Sequence, residues 1–373
     1  MHAITGWYRS LASAKSFQIP KTPITLPRDW GRFMSSVDGR VLIFAGAGAS
    51  KAVHPHNYPT TKEFFERLPE SITENPLFQF CLDYLMVTLE TETIDIEQML
   101  WALQELQSFY SSPLIQKSVV GYAFKRKLAG RISPNGDVAS FANVATQIND
   151  RLIELIGQIN QIVYEFYSYE PEEIELDSNW LEIINKFYRV GTKLDIFTTN
   201  YDVAIEAALN ILDGDATARK WRGIKGSVRQ ILDLGHWLDS DDSTGRLTKL
   251  HGSLDWKIRG ESIYVGDPVF TGDHTKQAII YPGFKGESPV PFFQIFHEYL
   301  AQSLSESKVL IFVGFAFRDD YINRLLRSNI KRNAKVYIIN PDRSISFPAA
   351  RNDIKYITDY FDIASIEKVF DDL

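Results

Sequence analysis

Apolar positions along the chain fall into two kinds of run. Short blocks, VLIF at Val41–Phe44, LDIF at Leu194–Phe197 (interrupted only by Asp195), VLIFV at Val309–Val313 and VYII at Val336–Ile339, are each followed closely by Gly, Asn, Asp or Thr. Blocks of four to six apolar residues bounded by turn formers predict strands buried on both faces. LTKLHGSLDWKI, SIYVGD and QAIIYP predict further strands. Other stretches carry apolar residues three and four apart. In DIEQMLWALQEL these are Ile96, Met99, Leu100, Leu103 and Leu106; in the long segment ending INQIVYEFY they are Ile148, Leu152, Ile153, Ile156, Ile159 and Val163. That spacing predicts amphipathic helices. PTTKEFFERL predicts a helix capped by Thr60 or Thr61 with Glu63 close behind, and SNWLEIINKFYRVG one capped by Ser178 and stopped at Gly191. Helices are also predicted in DVAIEAALNIL, VPFFQIFHEYLAQSL, RDDYINRLLRSNI and SIEKVFDDL. Strands alternating with helices imply an α/β fold on a parallel sheet, interrupted by a helical segment from about Pro76 to Phe187.

Composition narrows the function. The 373 residues are 45% hydrophobic, enough for a substantial core. The formal net charge of -7 gives no global basic signature, so sequence-specific nucleic-acid binding is not expected. The local clusters Lys125-Arg126-Lys127 and Arg327, Lys331, Arg332 read as solvated faces. With Cys81 alone, neither an internal disulfide nor a cysteine zinc site can form. No segment has the pattern of a signal peptide or the ~18 apolar residues of a membrane span, so a soluble, cytoplasmic protein is expected.

In parallel sheets ligands bind beyond the carboxyl ends of the strands. The residues there are GAGAS (Gly46–Ser50), TTNYD (Thr198–Asp202), LHGSLDW (Leu250–Trp256), GFAFRD (Gly314–Asp319) and INPD (Ile339–Asp342). A Gly-rich turn opening a helix can bring backbone N–H groups to a pyrophosphate. It can equally be a turn that packs tightly, and Lys51 stands where the dinucleotide fingerprint GxGxxG has its third glycine. Asn200 and Asp202 could fix ribose hydroxyls or cap the next helix. His251 could be a proton-transfer group or a hydrogen-bonded structural histidine. Asp95 and Glu97 could reach a site from the helical segment or be an acidic pair at a helix N-terminus. His54 and His56 could touch a ligand or lie in an exposed loop. No His, Asp and Glu cluster has a familiar metal-ligand spacing, so no metal is expected.

Taken together, Gly46-Ala47-Gly48-Ala49-Ser50, Thr199-Asn200-Tyr201-Asp202, His251-Gly252-Ser253, Gly314-Phe315 and Ile339-Asn340, in this order, resemble the sirtuin superfamily. The resemblance covers roughly residues 40 to 70 and 190 to 345. It implies a Rossmann-like sheet with flanking helices at 39–70 and 188–373, a helical insertion at 71–187, and an N-terminal extension at 1–38. The four-cysteine ribbon of sirtuin deacylases is missing, as is the Pro-Asp-Phe-Arg segment after their first loop. The combination is more similar to the ribbon-free sirtuin-like domains of bacterial antiphage systems, which hydrolyse NAD. This resemblance implies NAD as substrate, no prosthetic group and no zinc. It also implies homo-oligomers, and a partner chain such as a hexameric DNA-translocating ATPase of the HerA type, because no fused sensor is expected here. It assigns catalysis to Asn200, His251 and Asp202. NAD contacts fall to Ala45, Gly46, Ala47, Gly48, Ser50, Thr199, Gly314, Phe315 and Asn340. A chain that binds NAD or ADP-ribose without cleaving it, as a sensor or scaffold, is the alternative.

Overall fold

The computed structural model describes residues 39–53, 58–89, 94–111, 141–167, 179–189, 192–226, 230–238, 245–259, 262–266, 276–279 and 291–373. The expected N-terminal extension, His54, His56, Ser178, Gly191 and Lys125–Lys127 lie outside these residues. The strands are β1 (Arg40–Ala45), β2 (Leu194–Thr198), β3 (Ile224–Lys225), β4 (Gln230–Leu232), β5 (Arg246–Lys249), β6 (Gly252–Arg259), β7 (Ser262–Val265), β8 (Lys276–Ile279), β9 (Ser307–Val313), β10 (Lys335–Ile339) and β11 (Ile354–Ile357). The helices are α1 (Ala47–Val53), α2 (Thr61–Glu66), α3 (Glu70–Thr73), α4 (Pro76–Leu89), α5 (Ile96–Ser111), α6 (Phe141–Tyr167), α7 (Asn179–Arg189), α8 (Ala204–Asp213), α9 (Asp215–Arg222), α10 (Leu234–Leu238), α11 (Pro291–Glu306), α12 (Asp320–Asn329) and α13 (Ile363–Phe370).

Six strands form an all-parallel, Rossmann-like sheet in the order β11-β10-β9-β1-β2-β5. From β1 the chain moves outward to β2 and β5, then returns to the other side of β1 with β9, β10 and β11. The order therefore reverses between β1 and β9, the position at which ligands bind in open parallel sheets. Every residue of β1 is buried because successive side chains enter different layers. Val41, Ile43 and Ala45 pack with α7, α8 and α13 through Ile183, Ala208 and Ile366. Leu42 and Phe44 pack with α11 and α12 through Phe296, Leu300 and Leu326. A third cluster joins α2, α4, α5 and α6 and takes in Tyr201 and Leu254. Helix α7 lies at the carboxyl end of the segment read as an insertion, and it buries Trp180, Ile183, Ile184 and Phe187 in the sheet's cluster. Phe64 and Leu68, from the stretch assigned to the sheet domain, belong to the helical cluster.

One strand reading needs correction, and one strand was missed. LTKLHGSLDWKI is not one strand. It breaks at Leu250-His251 into β5 of the parallel sheet and β6 of a second, antiparallel sheet ordered β3-β4-β7-β6-β8. Gly252 permits the break: its φ is +90°, and a Cβ there would stand 1.8 Å from the Ala278 carbonyl oxygen. The edge strand β11 has no sequence signal, because IKYI is half exposed and does not alternate. The expected cap of α2 is present as a capping box, with the Thr60 side chain on the Glu63 N–H and the Glu63 side chain on the Thr60 N–H. At the amino end of the sheet a buried charge group ties α11 to β1 and β2. Arg40 donates to Asp195 at 2.6 Å, and Tyr299 and Ser303 donate to the same carboxylate at 2.8 and 2.9 Å. Among the described residues no helix is long and apolar enough to cross a membrane.

Candidate functional site

The loop after β1 and the loop after β9 meet backbone to backbone. Gly46 N–H donates to the Val313 carbonyl at 2.9 Å, Gly48 N–H to that of Gly314 at 3.1 Å, and Gly314 N–H to that of Ile339 at 2.9 Å. A Cβ on Gly46 would lie 2.6 Å from the Gly314 oxygen. Gly314 has φ +56°, and a Cβ there would lie 2.3 Å from the Ala49 nitrogen. Close packing between the loops after β1 and β9 therefore explains these glycines. The N–H groups of Gly46, Gly48 and Ala49 are bonded within the protein. A phosphate reading of the loop must rest on its remaining groups, Ala47 and the start of α1 among them.

The turn after β2 is clamped to this loop. The Asn200 side-chain amide donates to the Gly46 carbonyl at 2.8 Å and to Ser50 Oγ at 2.7 Å, while the Asn200 N–H donates to Thr198 Oγ1 at 3.0 Å. Thr199 N–H donates to the Ala45 carbonyl at 3.3 Å. Asp202 accepts from the Ala204 N–H at 3.0 Å and starts α8. Below the turn, Lys249 is buried. Its Nζ donates to the carbonyl oxygens of Tyr201 and Asp202 and pairs with Glu206 at 3.0 Å. Arg222 bonds Asp255 at 2.5 Å beside the same Glu206. Burial would raise the Asp255 pKa, but the charges of Arg222 and Lys249 hold it below the usual carboxylate range.

His251 occupies the turn between β5 and β6 and is only 5% exposed. Its Nε2 lies 3.3 Å from Asp319 Oδ2, and its buried Nδ1 has no hydrogen-bond partner. Asp319 is the N-cap of α12. Its Oδ1 accepts from the N–H groups of Tyr321 and Ile322 at 2.8 and 2.9 Å. Burial opposes ionisation of Asp319, yet the bond and charge of His251, with those two amides, keep its pKa low. Phe317, two residues before it, is held at φ +53°, and its carbonyl accepts from Asn323 at 2.7 Å. Glu97, on the first turn of α5, reaches the same group: Tyr201 Oη donates to it at 2.9 Å. Burial lifts the Glu97 pKa to about 7, and neighbouring Asp95 and Asp319 add to the rise while His251 and the Tyr201 bond oppose it. Asp95 itself caps α5 in a reciprocal pair with Gln98. His297 on α11 also feels His251, and burial, followed by that charge, lowers its pKa to about 4.

The structure thus brings together Asn200, Thr199, Ser50, Gly46, Gly48 and Gly314, with Asp202 in the same turn and His251 bonded to Asp319 in a turn whose flanking residues Leu250 and Leu254 bond the Thr198 and Tyr201 carbonyls. Phe315 lies in the aromatic core, 4.5 Å from Phe44 between ring centroids. Asn340 stands apart, beyond β10. Its side chain donates to the Phe315 carbonyl at 3.3 Å, and it lines a cavity of about 380 Å³ with Asp342, Arg343, Ile345, Tyr356 and Thr358. Neither Asn200 nor His251 lines that cavity. Among the described residues no group of three or more His, Cys, Asp or Glu is placed to hold a metal ion. Asp319 and Tyr201 stood in the quoted strand-end stretches, but nothing in the sequence singled them out. His297 carried no signal at all.

No curated protein sequence matches the chain. Solved structures of similar shape include a SIR2 homologue in complex with NAD, at 12% identity over 92% of this chain and 96% of that one, with a TM-score of 0.40. They also include a complex of Sir2, a p53 peptide and NAD+, at 11% identity over 92% of this chain and 97% of that one (TM-score 0.40). Sir2Tm bound to a propionylated peptide matches at 11% identity over 89% and 92% of the two chains (TM-score 0.38). At the level of sequence, the family model described as the SIR2-like domain matches residues 195–361, the span from β2 to the residues before α13, which holds Asn200, His251, Asp319 and Asn340.

Proposed function

We propose that the chain is an NAD glycohydrolase that cleaves the nicotinamide–ribose bond to give nicotinamide and ADP-ribose. The observation that carries this reading is the order of the candidate groups along the sheet. The cavity beside Asn340 lies at β10 and β11, the glycine loops at β9 and β1, the Asn200 turn at β2, and His251 at β5. From β11 to β5 the strand spacing gives roughly 24 Å, the scale of an extended dinucleotide. Adenosine would occupy the cavity, with its ribose hydroxyls near Asn340 and Asp342. The pyrophosphate would cross the loops of Ala45–Ser50 and Gly314, with Phe315 bordering that path through its backbone. The nicotinamide ribose would meet Thr199, Asn200 and His251.

In the reaction, water oxygen bonds to the ribose C1′ as the C1′–nitrogen bond breaks, and the bonding pair leaves with neutral nicotinamide. The proton lost by water, directly or through a ribose hydroxyl, passes to His251. A buried imidazole nitrogen without a partner is costly, and a substrate hydroxyl would satisfy Nδ1. Asp319 holds the ring and balances the charge it gains. The Asn200 amide nitrogen already ties the two loops together, so its carbonyl oxygen is the atom left to orient water or ribose. Asp202 shapes the turn.

The test is nicotinamide release by the purified chain. His251→Ala is expected to abolish it and Asn200→Ala to reduce it by at least a hundredfold. Full hydrolysis by both variants would sink the reading. Bound NAD without release would leave the chain a sensor or scaffold. The biological setting we propose is antiphage defence by NAD depletion, with activity gated by homo-oligomer assembly or by a HerA-type ATPase. Adding such a partner should change the rate of release, and infected cells carrying His251→Ala should keep their NAD.

A further inference from the structure

Glu97 has no part in the reading above, and helix capping does not account for it. A carboxylate in the first turn of a helix is stabilised in its charged form by the helix dipole. Glu97 departs in the opposite direction, with its pKa raised to about 7 by burial first. Capping of α5 is carried out by Asp95 and Gln98 instead. What Glu97 does hold is Tyr201 Oη, at 2.9 Å and 104 residues away in sequence. Tyr201 directly follows Asn200, and its carbonyl oxygen accepts from Leu254 N–H at 3.0 Å and from Lys249. The charged and titratable groups acting on Glu97 come from several elements: Asp95 before α5, Tyr201 after β2, His251 after β5 and Asp319 at the start of α12. Tyr167 on α6 feels the Glu97 charge in turn.

We propose that Glu97, delivered by the helical segment, is a positioning residue of the nicotinamide-cleaving site: it fixes Tyr201 beside Asn200 and shares with Asp319 the counter-charge of a protonated His251. The inference rests on the hydrolase reading. When His251 takes the proton lost by water, an ionised Glu97 lowers the energy of the resulting imidazolium. A protonated Glu97 does not. Activity should therefore climb as pH rises through about 7 and Glu97 loses its proton.

The experiment compares wild type and Glu97→Gln, which keeps size and an acceptor for Tyr201 but cannot carry charge. At pH 8, kcat is expected to fall at least tenfold with the KM for NAD within about twofold, and the rise of kcat through neutrality should disappear. Wild-type kcat with an unchanged pH profile in Glu97→Gln would overturn the proposal. A second readout does not depend on hydrolysis. The Glu97 carboxyl is titrated by carbon-13 NMR in wild type and in His251→Asn, and its midpoint is expected to move upward once the favourable His251 charge is gone. An unmoved midpoint would overturn the coupling. If wild type itself releases no nicotinamide, the hydrolase reading fails, and the NMR titration still decides whether the two groups are coupled.

Discussion

Glu97 should make the protein less stable as the solution becomes less acidic, and removing its charge should reverse that. Its pKa rises from the ordinary 4.5 to about 7 in the folded chain. The folded state therefore binds more protons than the unfolded state between about pH 4.5 and 7, and stability falls as pH rises through that window. At 1.36 kcal/mol per unit the full shift corresponds to about 3 kcal/mol. The side chain is partly exposed, which discounts this to about 1–2 kcal/mol. His297 acts in the opposite sense. Its pKa is lowered from 6.5 to about 4, so the folded state binds fewer protons than the unfolded one between those values, and stability rises with pH there. In wild type the two slopes largely cancel, and only a difference between variants reveals either. Glu97→Gln is expected to match wild type near pH 4.5 and to exceed it by about 1–2 kcal/mol at pH 8. Urea unfolding of both proteins at pH 4.5, 6 and 8 measures this. A gap that stays constant across the three, or a variant less stable than wild type at pH 8, would refute the reasoning.

Three further outcomes follow from the packing. Gly314→Ala should destabilise the fold by about 2 kcal/mol or more through left-handed strain and should weaken NAD binding, because its Cβ would press on Ala49 and part the two loops; calorimetric titration with NAD reads the second effect. Lys249→Met removes the nearer cation from the buried Glu206 carboxylate and leaves it only Arg222 at 3.7 Å, so a loss of about 2–3 kcal/mol is expected, visible as a lowered thermal midpoint. Asp195→Ala leaves Arg40 without its closest carboxylate and should lose a similar amount. It lies at the opposite end of the sheet, so the KM of the folded fraction for NAD should be that of wild type.

The four central strands β1, β2, β9 and β10 were readable because they are buried on both faces, and that leaves short apolar blocks such as VLIF and VYII. In the antiparallel sheet β6, β7 and β8 fell on predicted strands, but β3, β4 and the pairing as a separate sheet were not readable. β3 has only two residues and β4 three, too few for any periodicity to show. The break at Leu250-His251 depends on Gly252 meeting the Ala278 backbone, a contact 26 residues away that a local pattern does not carry. The glycine loop drew notice as a phosphate cradle, but the structure gives its glycines a packing duty first. The backbones of β1 and β9 could not approach otherwise, and the amides the sequence offered to a phosphate are largely bonded at home. Asn200 likewise stood out as a polar residue at a strand end. That its amide nitrogen is occupied in holding Gly46 and Ser50 could be learned only from the fold.

Glu97 shows why a charged residue on an amphipathic helix is hard to weigh from sequence. In DIEQMLWALQEL both Asp95 and Glu97 sit where a helix N-terminus favours them, and composition gives them the same meaning. The fold separates them. Asp95 accepts the Gln98 N–H, a local bond that needs nothing beyond its own helix. Glu97 bonds a tyrosine whose side chain is buried in the helical cluster while its backbone belongs to the turn that carries Asn200. Tyr201 is thus shared between two layers, and any shift of α5 against the sheet must either carry that turn along or break the bond to Glu97. A partner that presses on the helical segment would therefore reach the Asn200 turn and His251 through one hydrogen bond and one charge. Tyr201→Phe tests this route, since it deletes the bond and keeps the ring in place. Under the gated-hydrolase reading, it should blunt the response to a partner more than it lowers the basal rate of nicotinamide release. Equal loss in both would confine Tyr201 to holding the turn.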